Sequence, residues 1–340
     1  MTKITLKQVS EYLPLLLKAK LVPYIKGSPA IGKSSIAHQV AQQLGLKVID
    51  IRLAECDPTD LQGFPYFDQE HKKASYYPLN TFPTEQDPIP TGYNGWLIFL
   101  DEFSNAPLAV QAAAYKLVLD RQVGQHKLHK NVAIIAAGNL ETDNAAAQPM
   151  SSALISRFAI FEVTVNQQEW NEWAASVGID YRITSYMNFR PDHLYTFNPN
   201  TAEQPYASPR TWTMLHQVLK QLEQPSPTQQ PILASLIGEG VANEFRTYLE
   251  LQDELPSFEH IVKNPETATL KKDLSIRWAT MGMLCHNVSE KTLGAVITYI
   301  RRLSDDLQIV AMRELCQRHP ELKAETEFQH WTTQLSKVFR

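Results

Sequence analysis

The sequence predicts an α/β fold on a parallel sheet, followed by a mainly helical half, on three observations. First, strand-like apolar runs at residues 21–26, 48–53, 96–100, 132–137 and 158–165 alternate with helical spacing, the pattern of a parallel sheet. Second, W-L-I-F-L (96–100) and V-A-I-I-A-A (132–137) are continuously apolar, as strands covered on both faces are. Third, the strand signal fades after residue 166, where segments 167–178, 209–222, 228–250 and 289–318 have helical spacing.

Each element has a local reason. Residues 5–20 read as a first helix with Leu13, Leu15, Leu16 and Leu17 on or near its buried side. Asp57-Pro58-Thr59-Asp60 is a helix start: an N-cap, proline at the first position and an acid two residues later. Gly63 and Pro65 soon stop that helix, and residues 63–95, rich in Pro, Tyr, Asn and Gly, read as loops with a β-hairpin. Residues 107–121 and 150–156 read as helices. Proline-rich stretches near 189–209 and 223–231 separate some helices of the second half. The expected domains are an α/β core at 1–166 with an insert at 63–95, a helical lid at 167–250 and a helical extension at 251–340.

The bulk numbers set limits. The chain has 340 residues, 44% of them hydrophobic, and a formal net charge of -4. Mean hydropathy is -0.28, which suits a soluble protein with a sizeable core. No overall basic field points to nucleic acid. The basic run H-K-L-H-K at 126–130 reads as a solvated turn before a strand. Three dispersed cysteines (Cys56, Cys285, Cys316) give no disulfide framework or metal knuckle and fit a reducing compartment. The N-terminal stretch lacks the long apolar core of a signal peptide, and no apolar run reaches membrane-spanning length. The expectation is a cytoplasmic protein.

The chemistry starts at residues 27–34, G-S-P-A-I-G-K-S, a complete GxxxxGK[ST] phosphate-binding loop. Glycines let the backbone of Gly27, Ser28, Pro29, Ala30, Ile31 and Gly32 curl so that amide N–H groups point at phosphate oxygens. Lys33 would reach the outer phosphates, and Ser34 would offer a hydroxyl to Mg²⁺; Ser35 completes the candidate binding set. The apolar spacing of Ile36, Ala37, Val40, Ala41 and Leu44 puts the loop at a helix N-terminus, where the dipole favours an anion. The base is not readable from such a loop: Leu21, Val22 and Pro23 would suit either a base pocket or the core.

The strand W-L-I-F-L ends in Asp101-Glu102. Two acids at the end of a buried strand would serve as an acidic helix cap; beside a phosphate loop they serve as metal ligand and general base. Asn139, at the tip of V-A-I-I-A-A-G-N, would hold a water or terminal phosphate, or form an ordinary turn.

Together these residues resemble the AAA+ ATPases over roughly residues 15–225. Gly27 to Ser34 is similar to Walker A, and Trp96 to Glu102 to Walker B. Asn139 resembles sensor 1, Arg157 in A-L-I-S-R-F the arginine finger, and Arg210 in A-S-P-R-T-W sensor 2. D-P-T-D-L-Q-G-F-P, the stretch before N-G-W-L-I-F-L-D-E, and S-P-R-T-W resemble the MoxR-like (AAA_5, dynein-related) branch. The resemblance implies a P-loop NTPase core with a parallel five-stranded sheet, binding ATP and Mg²⁺, with Glu102, Asn139, Arg157 and Arg210 catalytic and Asp101 and Ser34 at the metal. It also implies a ring of identical subunits, commonly six. Arg157 would then act on a neighbour's nucleotide and Arg210 in its own subunit. Without the family, Arg157 would read as a surface helix-end cation satisfying carbonyls and Arg210 as a first-turn arginine paired with a nearby acid. Two departures are visible: Ile31 is bulky where many relatives have a small polar residue, and no second arginine accompanies Arg157, although Arg121 would supplement it or simply terminate its helix. Three roles are compatible with these residues: an ATP-driven remodeller of a protein client, such as a von Willebrand factor A-domain protein; a nucleic-acid motor or GTPase subunit of a restriction-type nuclease; and a nucleotide-switched scaffold, which would not need Glu102.

Overall fold

The computed structural model describes residues 3–338 except 71, 144–148, 202 and 223–226. Part of the proline-rich stretch at 223–231 therefore lies outside the described residues. The chain forms two compact units, Met1–Val165 with Asn198–Asn200, and Asn166–Phe197 with Thr201–Arg340.

Unit 1 runs β1 (Lys3–Thr5), α1 (Leu6–Lys18), β2 (Val22–Gly27), α2 (Lys33–Gln43), β3 (Leu46–Arg52), α3 (Pro58–Gln62), β4 (Phe64–Asp68), β5 (Lys73–Tyr77), β6 (Gly95–Asp101), α4 (Leu108–Leu119), β7 (Gln122–Val123), β8 (His126–Lys127), β9 (Val132–Gly138), α5 (Ser152–Ile155) and β10 (Phe158–Thr164). Six strands form the main sheet in the order β1-β10-β2-β9-β6-β3. Every pairing in it is parallel. The sequence-predicted sheet is present with one strand more, because Lys3–Thr5 adds at the edge against Glu162–Thr164. That strand is too short to leave a periodic signal. Thr5 also starts α1 through a capping box with Gln8, so helix and strand share a boundary.

Burial follows the pattern. β6 is buried through Leu100, and β9 is buried along its whole length, at the centre of the sheet. β3, at the edge, is buried only at Ile51. In α1, Leu13 and Leu17 are buried, while Leu15 is 70% exposed, a correction to the expected apolar side. Spacing explains it, since positions four apart share a helix face and the residue midway between them does not. Asp57 and Asp60 form the expected capping box of α3, and Gly63 ends it at φ 89°, where an added Cβ would fall 2.1 Å from the Tyr77 carbonyl oxygen. The hairpin expected within 63–95 is β4–β5, with Phe64 opposite Tyr77.

Unit 2 is helical: α6 (Gln167–Ser176), α7 (Tyr181–Phe189), α8 (Pro209–Leu219), α9 (Gln230–Ile237), α10 (Glu239–Glu250), α11 (Phe258–Lys263), α12 (Leu274–Asn287), α13 (Leu293–Ile300), α14 (Asp305–Arg318) and α15 (Thr326–Val338). The expected helix over 228–250 is broken in two by Gly238 at φ 80°. The expected 289–318 helix is likewise two, α13 and α14, separated at 301–304. Trp212, Tyr186 and Phe245 pack edge-on or tilted in one core. Ile261, Leu284, Leu293, Ile297, Leu315 and Trp331 belong to another. Among the described residues no helix is long and apolar enough to cross a membrane.

Candidate active site

In the sheet order, β2, β9 and β6 lie side by side, and all three run the same way. Their carboxyl ends therefore set the phosphate loop, Asn139 and Asp101-Glu102 along one edge, where open parallel sheets bind ligands.

The loop leaves β2 at Gly27. A Cβ there would lie 2.6 Å from Val163 Cγ2 and 2.7 Å from Ile31 Cδ1, so only glycine lets the loop pack this closely. Ile31 is 3% exposed. The bulky residue noted in the sequence thus fills the space over Gly27 as core. Ala30 at φ 61° and Gly32 at φ 111° make the left-handed turns that bring the chain into α2. Pro29 and Ala30 are half-buried, and Ser35 is exposed in the first turn of α2.

Seven of the predicted residues take part in hydrogen bonds with one another. Lys33, 8% exposed, donates from Nζ to Gly27 O at 2.7 Å, Ser28 O at 2.8 Å and Asn139 Oδ1 at 2.9 Å. Ser34 Oγ donates to Asp101 Oδ2 at 2.8 Å. The other oxygen of Asp101 accepts the Glu102 N–H at 2.8 Å. Glu102 itself sits at φ 55°, a left-handed conformation that costs a bulky residue about 1–2 kcal/mol. Such outliers persist where the surroundings over-determine them, often at functional sites.

Arg157 makes its contacts elsewhere in unit 1. Arg157 Nη1 donates to Ala153 O and Ser156 Oγ, both at 2.8 Å, and its guanidinium lies 5.6 Å from the Tyr115 ring centre. It is exposed. Arg210 belongs to unit 2, exposed in the first turn of α8 behind the Ser208–Thr211 capping box. Arg121, which the sequence offered as a supplement to Arg157, donates to Val132 O and Lys20 O. Burial lowers its pKa, and it acts as a chain-end clamp between α4 and β9. Of the residues preceding the loop, Val22 and Pro23 are buried sheet residues and Leu21 is exposed.

Sequence reasoning missed several polar neighbours. Ser104 and Asn105, just after Glu102, bond into the Asn139 end of the site. Asp143, 6% exposed, accepts from Ser28 Oγ at 3.3 Å. Lys26 pairs with Glu141 at 3.4 Å. The signal for the first pair was available: two polar residues between Phe103 and Ala106, directly after the strand-end acids.

No protein-family model matches the chain, and no curated protein matches it. Distantly similar solved structures exist. A proline-to-glycine mutant of Thermotoga maritima RuvB is 18% identical, with 78% of this chain and 77% of that one covered and a TM-score of 0.41. The T. maritima RuvB Holliday junction branch migration motor is 17% identical, over 77% and 76% of the two chains, with a TM-score of 0.37. A candidate ATPase from Cytophaga hutchinsonii is 15% identical, over 97% and 88%, with a TM-score of 0.36. Likenesses this distant decide nothing about the site, whose own geometry has to carry its chemistry.

Proposed function

We propose that this chain is an AAA+ ATPase of the MoxR-like branch, which hydrolyses ATP to remodel or activate a protein partner. The observation that carries the reading is the double juxtaposition of Lys33 with Asn139 at 2.9 Å and Ser34 with Asp101 at 2.8 Å. A glycine loop, a buried ammonium, a hydroxyl–carboxylate pair and a polar amide meet at one sheet edge, and this combination suits a nucleoside triphosphate.

The residues fit the implied ligands. The loop 27–32 and the N-terminus of α2 would hold the phosphates through amide N–H groups, and Lys33 would place its charge against the outer ones. Ser34 and Asp101 are hard oxygen donors. They would hold Mg²⁺, which keeps most of its waters and takes only one or two carboxylates. Bound there, the metal would neutralise charge on the phosphates. Glu102 is the general base: it orients a water and takes its proton as the water's oxygen attacks the terminal phosphorus, while the bond from that phosphorus to the β–γ bridging oxygen breaks and ADP leaves with inorganic phosphate as the other product. Asn139 holds that water or the terminal phosphate through its amide.

Arg157 would serve a neighbouring copy. Its exposed place at the end of α5 is compatible with lending a guanidinium to an adjoining protomer in a ring of about six, where such a charge is worth on the order of 10³–10⁵ in rate. Arg210 would report nucleotide state to the helical unit. The client would be a protein, a von Willebrand factor A-domain partner among the candidates. The β4–β5 hairpin supports a protein-binding role, since Phe64, Phe67 and Tyr77 are 55%, 86% and 60% exposed on it. The free thiols of Cys56, Cys285 and Cys316 suit a cytoplasmic protein.

A phosphate-release assay tests the reading. Wild-type protein should turn over ATP, and Glu102→Gln should keep nucleotide binding while losing turnover by about 10²-fold or more. Undiminished turnover in that variant removes Glu102 from the role assigned to it, and an inactive wild type overturns the reading.

A further inference from the structure

The Ser104 hydroxyl joins two residues of the site. A serine hydroxyl can donate once and accept twice. Ser104 Oγ donates to Asn105 Oδ1 at 3.0 Å and accepts the main-chain N–H of Asn139 at 2.9 Å. Burial pushes the neighbouring Tyr24 hydroxyl up to about 12, with its Ser104 contact pulling the other way.

Asn105 Oδ1 takes the Ser104 proton and faces Asn139 Nδ2 at 3.5 Å. With its amide nitrogen turned toward Asn105, Asn139 must present Oδ1 to Lys33, and Lys33 Nζ is there at 2.9 Å. Ser104 is 4% exposed and Tyr24 1%, so water cannot readily replace either partner. The fit extends to the backbone: a Cβ at Gly138 would fall 2.0 Å from the Tyr24 hydroxyl oxygen and 2.8 Å from Ser104 Oγ. Gly138 is thus the residue that lets the Tyr24–Ser104 contact pass beneath Asn139.

We infer that Ser104 and Asn105 are positioning residues for hydrolysis, which fix the rotation of the Asn139 amide and so set how Asn139 and Lys33 together meet the terminal phosphate. The inference rests on the ATPase reading above. A network of this kind acts on the group transferred and leaves the inner phosphates to the loop amides, so it separates turnover from nucleotide binding. Misplacement of a reacting group by a small distance can cost orders of magnitude in rate.

The test is steady-state ATP turnover of Ser104→Ala, Ser104→Thr and Asn105→Ala, paired with a binding titration of ADP, which lacks the terminal phosphate. Both alanine variants should lower kcat by about tenfold or more with KM little changed. Their ADP Kd should stay within about twofold of wild type, and Ser104→Thr, which keeps the hydroxyl, should recover most of the activity. Asn105 is only partly buried and carries the test if Ser104→Ala does not fold. Alanine variants with kcat within about twofold of wild type, or with ADP affinity lost in step with kcat, would overturn the inference. Wild-type and Glu102→Gln proteins run alongside. An active wild type, an inactive Glu102→Gln and unaffected alanine variants would sink this inference alone; an inactive wild type would sink the ATPase reading and the inference with it.

Discussion

Lys33 in unit 1 and Arg318 in unit 2 are both buried cations, and they are held in opposite ways. Lys33 meets two carbonyl oxygens and an amide oxygen, at 2.7, 2.8 and 2.9 Å. Arg318 meets a carboxylate: its Nε donates to Glu314 Oε1 at 2.9 Å, with side-chain exposures of 6% and 5%. Its Nη2 and Nη1 donate to Thr184 Oγ1 and Ile179 O, and Thr184 Oγ1 in turn donates to Glu314. Neutral acceptors hold an ammonium loosely enough for an anion to displace them. A buried carboxylate does not yield in that way. The difference teaches that burial of charge alone does not mark a site. The partners differ in charge: the Lys33 ammonium bonds neutral oxygens of the phosphate loop and Asn139, and the Arg318–Glu314 pair ties α14 to α7 and the turn before it.

The largest effect should come from breaking the unit 2 pair. Arg318→Ala leaves the Glu314 carboxylate buried without its cation and should destabilise the protein by about 3–5 kcal/mol. Urea unfolding followed by tryptophan fluorescence suits this test. Five of the six tryptophans (Trp170, Trp173, Trp212, Trp278 and Trp331; Trp96 is the other) lie in unit 2, so the signal reports mainly on that unit. A midpoint near wild type would mean that the pair is as dispensable as an exposed one.

A smaller effect should appear with acid. Burial, helped by the nearby cations Arg190, Lys220 and Arg318, holds His193, His216 and His286 of unit 2 below their ordinary 6.5. The neighbouring acids Asp192 and Asp180 oppose this. Such histidines take up protons more readily when unfolded, so acid favours unfolding. Stability should be intact above the unfolded value and fall as pH drops through 6.5 toward the folded values. The fluorescence midpoint in urea should be lower at about pH 5.5 than at about pH 7.5. In unit 1, Asp87 behaves the other way. Its bonds from the Thr84 N–H and hydroxyl lower its pKa, and that contribution is lost only below the ordinary carboxylate range. A unit 2 midpoint that is flat over the upper window would remove the histidines from this account.

Much of unit 1 was legible because its signals are local. Continuous apolar strands, a glycine loop and a proline-led helix start each depend on a few neighbouring residues. The edge strand Lys3–Thr5 was not legible, since three residues carry no period. In unit 2, α6, α8, α9, α10, α13 and α14 fall in the segments the spacing marked, while α7, α11, α12 and α15 do not, and Gly238 and residues 301–304 broke two segments where spacing alone ran on. The site divides in the same way. Lys33, Ser34, Asp101 and Asn139 stood in recognisable strings, and the structure brings them into contact. Asp143 meets Ser28 across a long stretch of sequence, and Ser104 and Asn105, visible as polar residues after Glu102, gain their role only through their bonds to Asn139. Leu15 shows the same limit on a helix: an apolar residue in an apolar run proved 70% exposed.

The central claim is that the network around Lys33 is a nucleoside triphosphate site, and calorimetric titration of ATP with magnesium into wild type and Lys33→Met tests it most directly. Methionine keeps much of the side chain's volume and removes its charge, but it leaves the Gly27, Ser28 and Asn139 oxygens without their donor, so unfolding stability should fall by about 1–3 kcal/mol and the variant should still fold. The account predicts saturable binding by the wild type and a loss of about 10²-fold or more in the variant, given that charge-assisted contacts to phosphate dominate such loops. No binding by the wild type, or equal binding by the two proteins, would contradict it.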